Sequence, residues 1–386
     1  MRHDDFAESQ RGHLVAIPGG VAFLPPPIPR DLRLPRELEA LDRRVHNAVG
    51  ALEAAASAFS VEQAVGPLRL REARLSNEIE GTHTRIEDVL SAVVARSSPS
   101  DDVAEVLATA EALDLGIRHL EDGVAFGEWL IRQLHQKVLG TGRGSERSPG
   151  EYRRRQVVIG RSGDDPETAR FVPPPPEQVP PAMADLLEFA AEDTYGPVYD
   201  AAAFHYQFEA LHPFEDGNGR LGRALIPLLW VRRGLLRRPL LYLGAWFAER
   251  RDEYFTRLLR VSTHNEWLEW FAFFGQGALA EAHATRQRFE EVSRLMADYG
   301  SRLRAHSKSP TARDALPLLL QFQVLTSRVV QEHTGSSRPA AAEALRILHE
   351  IGAVETMGRV SGAQAYVARE LLMVLHGRTP PAKAET

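Results

Sequence analysis

The sequence predicts a mainly α-helical protein that carries one short β-hairpin and ends in a small module of helices and strands. Three observations predict this. Apolar residues recur at helical spacing from Glu37 to about residue 300. One β-prone run, Gln156-Val157-Val158-Ile159, interrupts that pattern. From Ser327 onward, two short helical stretches lead into two β-prone runs around Gly358 to Gly362.

Residues 1–35 are rich in Gly and Pro, with Pro25-Pro26-Pro27 and Pro29, and are expected to form an extended arm packed on the core. An Ala/Leu pattern then marks a helix over Glu37 to Ser60. The next helix is expected to open at Pro67, a residue suited to a first turn, with Leu68, Leu75 and Ile79 on one face. Within it, Ser76 and Glu80 are i,i+4 neighbours, and Gly81 suits its C-terminal cap. Thr84 and Glu87 have the spacing of a capping box for the following helix.

In residues 150–160, Gln156 to Ile159 reads as a strand, ended by Gly160 and a polar turn at Ser162-Gly163-Asp164-Asp165. Arg170-Phe171-Val172 is the expected returning strand, and Pro173 to Pro176 bar further pairing. An isolated hairpin is marginal alone, so its uses are to cover a site or offer an edge to another chain.

The densest chemistry lies at residues 212–223, His-Pro-Phe-Glu-Asp-Gly-Asn-Gly-Arg-Leu-Gly-Arg. Phe204, Phe208 and Leu211 place a helix over Tyr199 to Leu211, and Pro213 is expected to force His212 into an extended turn. Leu221, Leu225, Leu228 and Leu229 share a face of a second helix, which Pro227 should kink. Asp216-Gly217-Asn218-Gly219 thus feeds a helix N-terminus, whose unpaired amides attract anions. Gly217 and Gly219 are expected to supply positive φ and close backbone approach. Arg220 and Arg223 carry forked guanidinium groups suited to phosphates. Asp216 is a hard oxygen ligand of the kind Mg²⁺ accepts beside phosphates. His212 is placed to deprotonate a hydroxyl near neutral pH.

Residues 212–223 match H-x-F-x-[D/E]-G-N-G-R-x-x-R at every specified position, and so resemble the signature of Fic proteins, mostly protein adenylyltransferases. The resemblance covers roughly residues 15–300. It implies transfer of AMP from ATP to a Ser, Thr or Tyr hydroxyl of a target protein, or of the protein itself. His212 then resembles the general base and Asp216 the Mg²⁺ ligand. Asn218 and the amides of Gly217 and Gly219 resemble the α-phosphate cradle. Arg220 and Arg223, with Leu221 and Gly222 between them, resemble the contacts to the outer phosphates. Gly219 goes with adenylylation, since the related Doc kinases carry Lys there. Residues 76–81, Ser-Asn-Glu-Ile-Glu-Gly, resemble the family's inhibitory motif. Ser76, Glu80 and Gly81 are its fixed members, and Glu80 would pair with Arg223. Val157, Val158, Ile159 and Gly160 resemble the flap that registers a target segment. Tyr254, within Arg250–Leu259, sits where the family lines its base pocket, near Leu241-Tyr242-Leu243.

The resemblance divides the chain into an arm and inhibitory helical region (1–110), a catalytic core (111–300), a C-terminal domain (310–376) and a disordered tail (377–386). In the third part, Ser327–His333, the turn Thr334–Ser337 and Arg338–Ile351 read as helix-turn-helix, with Ser337 as N-cap. Ala353–Thr356 and Ala363–Val367 read as a β wing, so this part resembles a winged helix-turn-helix. Glu343 and Glu350 offset Arg338 and Arg346, which speaks against strong DNA binding. The aromatic run Trp267–Phe274 is expected in the core.

Composition agrees with this reading. The 386 residues carry a formal charge of −6, which gives no global attraction to nucleic acid. The absence of cysteine excludes disulfides, thiolate metal sites and a cysteine nucleophile. Lys occurs only at Lys137, Lys308 and Lys383, none after a Gly-rich loop, so there is no P-loop. No apolar run approaches a membrane span and Met1–Gln10 is charged, so a cytoplasmic protein is expected. Two functions compete with autoinhibited adenylylation. One is a DNA-binding regulator with a nucleotide-sensing core; the other is an enzyme that also removes AMP. Some family members form homodimers, and the sequence marks no dimer face.

Overall fold

The computed structural model describes residues 1–95, 99–140, 146–161 and 163–377. Ser162 and all but the first residue of the expected disordered tail lie outside the described residues. The arm is more ordered than its composition suggests. It holds a short helix α1 (Glu8–Arg11) and an antiparallel hairpin of β1 (Leu14–Ile17) and β2 (Gly20–Phe23), with Leu14 opposite Phe23.

Helices α2 (Arg36–Ala56) and α3 (Val61–Ile79) follow. Pro67 falls inside α3 rather than opening it. Ser60 is the stronger start signal. Its hydroxyl accepts from the Gln63 amide at 3.3 Å while the Gln63 side chain accepts from the Ser60 amide at 3.1 Å. At the other end, Gly81 has φ +93°, and its amide and that of Thr82 donate to the carbonyls of Glu78 and Asn77. These paired bonds form a Schellman motif, which fixes Glu80 as the last residue before the chain turns.

Next come α4 (Ile86–Ala95), α5 (Asp101–Glu121) and α6 (Glu128–Leu139). The expected Thr84–Glu87 capping box is absent. Helix α4 starts at Ile86, the Thr84 hydroxyl has no hydrogen-bond partner among the described residues, and Glu87 pairs with Arg369 at 3.1 Å. After α7 (Val179–Ala191) come α8 (Pro197–Leu211) and α9 (Asn218–Arg232). Both are buried on nearly every side, the mark of central helices. The loop between them, 212–217, is therefore presented by the rigid middle of the molecule. Helix α9 runs through Pro227 without a break.

Around this pair lie α10 (Gly244–Glu249), α11 (Arg251–His264) and the long α12 (Trp267–His306). Trp270, Phe271 and Phe274 are fully buried, as the aromatic run predicts. The chain closes with α13 (Pro310–Ala315), α14 (Leu318–Phe322), β3 (Val324–Thr326), α15 (Ser327–Thr334), α16 (Arg338–Glu350), β4 (Glu355–Val360), β5 (Ala363–Val367) and α17 (Arg369–His376). Its strands form an antiparallel sheet in the order β3-β5-β4. The Ser337 hydroxyl caps α16 through the Ala340 amide. This region shares one apolar cluster with Leu70 and Ala73 of α3, Val89 and Leu90 of α4, and Tyr299 and Leu303 of α12. Among the described residues, no helix is long and apolar enough to cross a membrane.

Candidate active site

His212 is not extended. It is the C-cap of α8 in the left-handed region, with φ +47° and ψ +60°. A following proline disfavours right-handed helical geometry, and the helix end takes the left-handed alternative. The chain then turns sharply into Asp216 and Gly217, and Gly217 has the positive φ its position predicts, +74°. Gly219 does not. It lies in the first turn of α9 and is needed for space: a Cβ there would stand under 3.0 Å from Glu80 Oε1 and 2.9 Å from Arg223 Nη1.

A cavity of 310 Å³ opens over this turn. Its lining includes His212, Asp216, Gly217, Asn218, Gly219 and Arg220 from the loop and α9. Glu80, Gly81 and Thr82 line it from the end of α3, and Glu105 from α5. The sequence thus identified most of the cavity wall. The amides of Asn218, Gly219 and Arg220 precede the first intrahelical bond, Leu221 to Gly217 at 3.0 Å, and make the cavity floor an anion site.

The Glu80 carboxylate reaches across the cavity to Arg223, Oε1 to Nη2 at 2.5 Å. Arg223 also donates from Nε to the Ser76 hydroxyl at 2.8 Å and from Nη2 to the Ser76 carbonyl at 3.0 Å. All three predicted members of the Ser76–Gly81 motif therefore take part, Gly81 through its left-handed cap. Burial alone would raise the Glu80 carboxyl; the Arg223 charge and hydrogen bond, with Arg220 and His212, outweigh it and hold the group below the ordinary range. The Arg223 side chain is 1 % exposed and Glu80 39 %, the latter open to the cavity.

His212 is held neutral. Burial first and Arg153 second push it down to about 4, against Glu80, the Glu209 carbonyl and Asp216. Its Nδ1 has no hydrogen-bond partner among the described residues. The Asp216 side chain is 44 % exposed, with Oδ1 2.6 Å from the Gly217 amide and 3.7 Å from Arg220. The Asp216 carboxylate, exposed beside the α9 N-terminus and held by no close ion pair among the described residues, fits Mg²⁺, which takes most of its ligands from phosphate and water. No cluster of three or more potential metal ligands occurs among the described residues.

Of the other predicted contacts, Asn218 lines the cavity with its side chain engaged by the loop, and Leu221, Gly222, Tyr254 and the flap residues lie outside the lining. Asn218 is buried and clamps the loop: its Oδ1 accepts from the Phe214 amide and its Nδ2 donates to the Phe214 carbonyl, both at 2.9 Å. Leu221 is core, and Gly222 makes room for Glu209. Tyr254 is wholly buried, stacked on Phe247 at 4.3 Å and bonded through its hydroxyl to His205 at 2.8 Å. It cannot pack on a base, because helix α11 turns it inward. Val157, Val158, Ile159 and Gly160 lie outside the cavity lining. Among the described residues the flap hairpin is reduced to one bridge, Ile159 with Phe171, at 2.8 and 3.0 Å. Pro173 to Pro176 remove the donors that would extend it.

Residues not singled out in the sequence complete the site. Glu105 is 4 % exposed and faces Arg220 at 3.5 Å, while accepting from the Thr82 hydroxyl at 3.3 Å. His135 accepts from the Gly150 amide on Nδ1 at 2.8 Å, so its proton is on Nε2, which donates to the Asp216 carbonyl at 2.9 Å. Burial pushes His135 down to about 4. Glu209, beside Arg223 and Glu80, is pushed up to about 8 by burial. None carries a signal in sequence beyond an ordinary helix polar residue.

Two family patterns match this chain: the Fic/DOC family N-terminal region over residues 41–118, and the Fic/DOC family over residues 125–230. Residues 125–230 are a Fic domain, and residues 41–118 match the family's N-terminal region. Among relatives, this chain is 35 % identical over 107 residues to "Protein adenylyltransferase fic-1" of Caenorhabditis elegans, covering 27 % of this chain and 19 % of that protein. It is 39 % identical over 89 residues to "Probable protein adenylyltransferase aq_aa38" of Aquifex aeolicus, covering 23 % and 26 %. The match thus spans about a fifth to a quarter of these relatives. The fold extends further than the sequence match. A Fic family protein from Desulfovibrio desulfuricans G20 superposes with TM-score 0.56 at 22 % identity, covering 89 % of this chain and 98 % of that one.

Proposed function

We propose that this Fic protein is an adenylyltransferase that moves AMP from ATP to a hydroxyl of a protein, and that Glu80 restrains it. The observation that carries the reading is the juxtaposition of neutral His212 with the amide floor of α9 in one cavity. His212 takes the proton of the acceptor hydroxyl, whose oxygen attacks the α-phosphorus. The bond from that phosphorus to the bridging oxygen breaks, and pyrophosphate leaves. The α9 amides and Gly217 steady charge on the phosphates, and Arg220 and Arg223 receive the outer ones. Asp216 would hold Mg²⁺, which supplies charge neutralisation on the phosphates when bound.

The Glu80–Arg223 pair supports the restraint. While Oε1 occupies the guanidinium, Arg223 is not available to a γ-phosphate, and ATP is held in a non-productive pose. The backbones of Val157 and Val158 have no backbone partner among the described residues, which suits an edge that receives an extended target segment. The C-terminal region is read as a winged helix used for packing rather than for DNA. Arg346 is engaged by both Glu343 and Glu350, Arg369 by Glu87, and Arg328 by the Val94 carbonyl.

The test is incubation of Glu80→Gly protein with α-labelled ATP and Mg²⁺. Label should pass to protein at a rate roughly 5- to 150-fold above wild type, the range of a coupling of 1–3 kcal/mol, and vanish with His212→Ala. Unlabelled protein in both backgrounds rejects the activity. Equal labelling with and without Glu80 rejects the restraint alone.

A further inference from the structure

Arg153 is 2 % exposed, yet among the described residues no carboxylate lies within ion-pair distance of it. A buried charge without a counter-charge is costly unless dipoles replace the lost water. Here backbone carbonyls do so. Nε donates to the carbonyl of His212 at 2.8 Å. Nη2 donates to Pro174 at 2.5 Å and to Leu211 at 3.3 Å, and Nη1 to Arg155 at 3.3 Å. Its own amide adds a bond to the Pro213 carbonyl at 2.9 Å.

These acceptors are not scattered. Leu211 is the last residue of α8 and His212 its cap, so the guanidinium closes the negative end of that helix. Arg155 lies on the outgoing leg of the flap and Pro174 on the returning one. A non-glycine residue at φ +47° is held there only when its surroundings over-determine it. One planar group therefore fixes the cap that aims the imidazole and fastens it to both legs of the segment beside it.

Resting on the transferase reading above, we propose that Arg153 is a positioning residue for AMP transfer: it holds His212 in its left-handed conformation and registers that conformation to the flap. Chemistry depends on it and nucleotide binding does not, since Arg153 lies outside the cavity lining. Around His212 the other charged groups are Glu80 of α3 and Asp216 of the loop, and neither contacts Arg153.

The experiment compares Arg153→Met and Arg153→Lys in the full chain carrying Glu80→Gly. Arg153→Met should lower kcat roughly 100-fold, the scale of a misplacement of about 1 Å, while KM for ATP and the Kd of a non-hydrolysable ATP analogue stay within about twofold. Lys keeps the charge and loses the fork, so it should recover part of the rate. An unchanged kcat in folded Arg153→Met protein, or a loss confined to KM, overturns the proposal. Where Arg153→Met does not fold, Arg153→Lys decides: full activity overturns, a fall in kcat alone supports. If the Glu80→Gly parent transfers no AMP, the transferase reading fails by itself. The crystal structure of the Arg153 variant then judges positioning, and His212 unmoved at positive φ overturns it.

Discussion

The carboxylate of Glu80 rests on the bare backbone of Gly219. A Cβ at 219 would stand under 3.0 Å from Glu80 Oε1, so the glycine in the first turn of α9 is also the seat of the Glu80 side chain. On the proposed reading, restraint and substrate claim the same surface. No second site is needed to explain why one excludes the productive form of the other.

That relationship makes a stability prediction. Gly219→Ala should cost about 1–3 kcal/mol, as overpacking of a filled site does. In a Glu80→Gly background the same substitution should cost clearly less, because the nearer clash is gone and only Arg223 Nη1 remains. Urea denaturation of the four proteins measures the coupling. Equal costs in both backgrounds would show that Glu80 does not occupy this position in solution.

Glu105 offers a test of charge against shape. It faces Arg220 at 3.5 Å and accepts from Thr82, and it lines the cavity that would hold phosphates. Glu105→Gln keeps the shape and removes a negative charge from the phosphate site. It should tighten ATP-analogue binding several-fold, since like charge is the larger effect in a partly desolvated site. Glu105→Ala removes the support of Arg220 as well and should weaken binding several-fold. Calorimetry distinguishes the two, and a fall in affinity for Gln would show that the ion pair dominates.

Glu209 should leave a mark on stability against pH. Burial pushes its carboxyl up from an ordinary value of 4.5 to about 8. Between those values the folded protein holds a proton that the unfolded chain has released, so this group's contribution falls as pH rises. Glu209→Gln removes that fall. Relative to wild type, the variant should gain stability from pH 5 to pH 8, on the order of 2 kcal/mol after allowance for partial exposure. Parallel pH curves for the two proteins would exclude a raised carboxyl at this position. Burial lowers His135 to about 4, and burial with Arg223 lowers His205 to about 3; both act in the opposite sense below their ordinary value of 6.5, so only the difference between variants isolates Glu209.

Much of this molecule was written locally. The twelve residues from His212 to Arg223 carried the helix N-terminus, the imidazole and the exposed carboxylate that line the cavity, because these groups lie at short chain separation. Gly81 was legible as a helix cap, a local feature, whereas Ser76 and Glu80 stood out only through the resemblance to a known motif, since their partner Arg223 lies far along the chain. Capping at Ser337 and the aromatic core of α12 followed from spacing alone.

Other outcomes were decided in three dimensions. Pro67 entered α3 because Ser60 supplied a better start, and His212 ended α8 in the left-handed region, where the buried Arg153 donates to its carbonyl. Tyr254 went to the core, and the flap kept a single bridge between the proline run and the helices. Arg153, Glu105 and His135 look ordinary in sequence, since nothing local marks a polar residue whose partners lie many positions away. The chain order fixed which chemical groups come together at residues 212–223. Packing decided which of them face the cavity, because burial and the carbonyls and carboxylates of distant helices set where each side chain finds its hydrogen bonds.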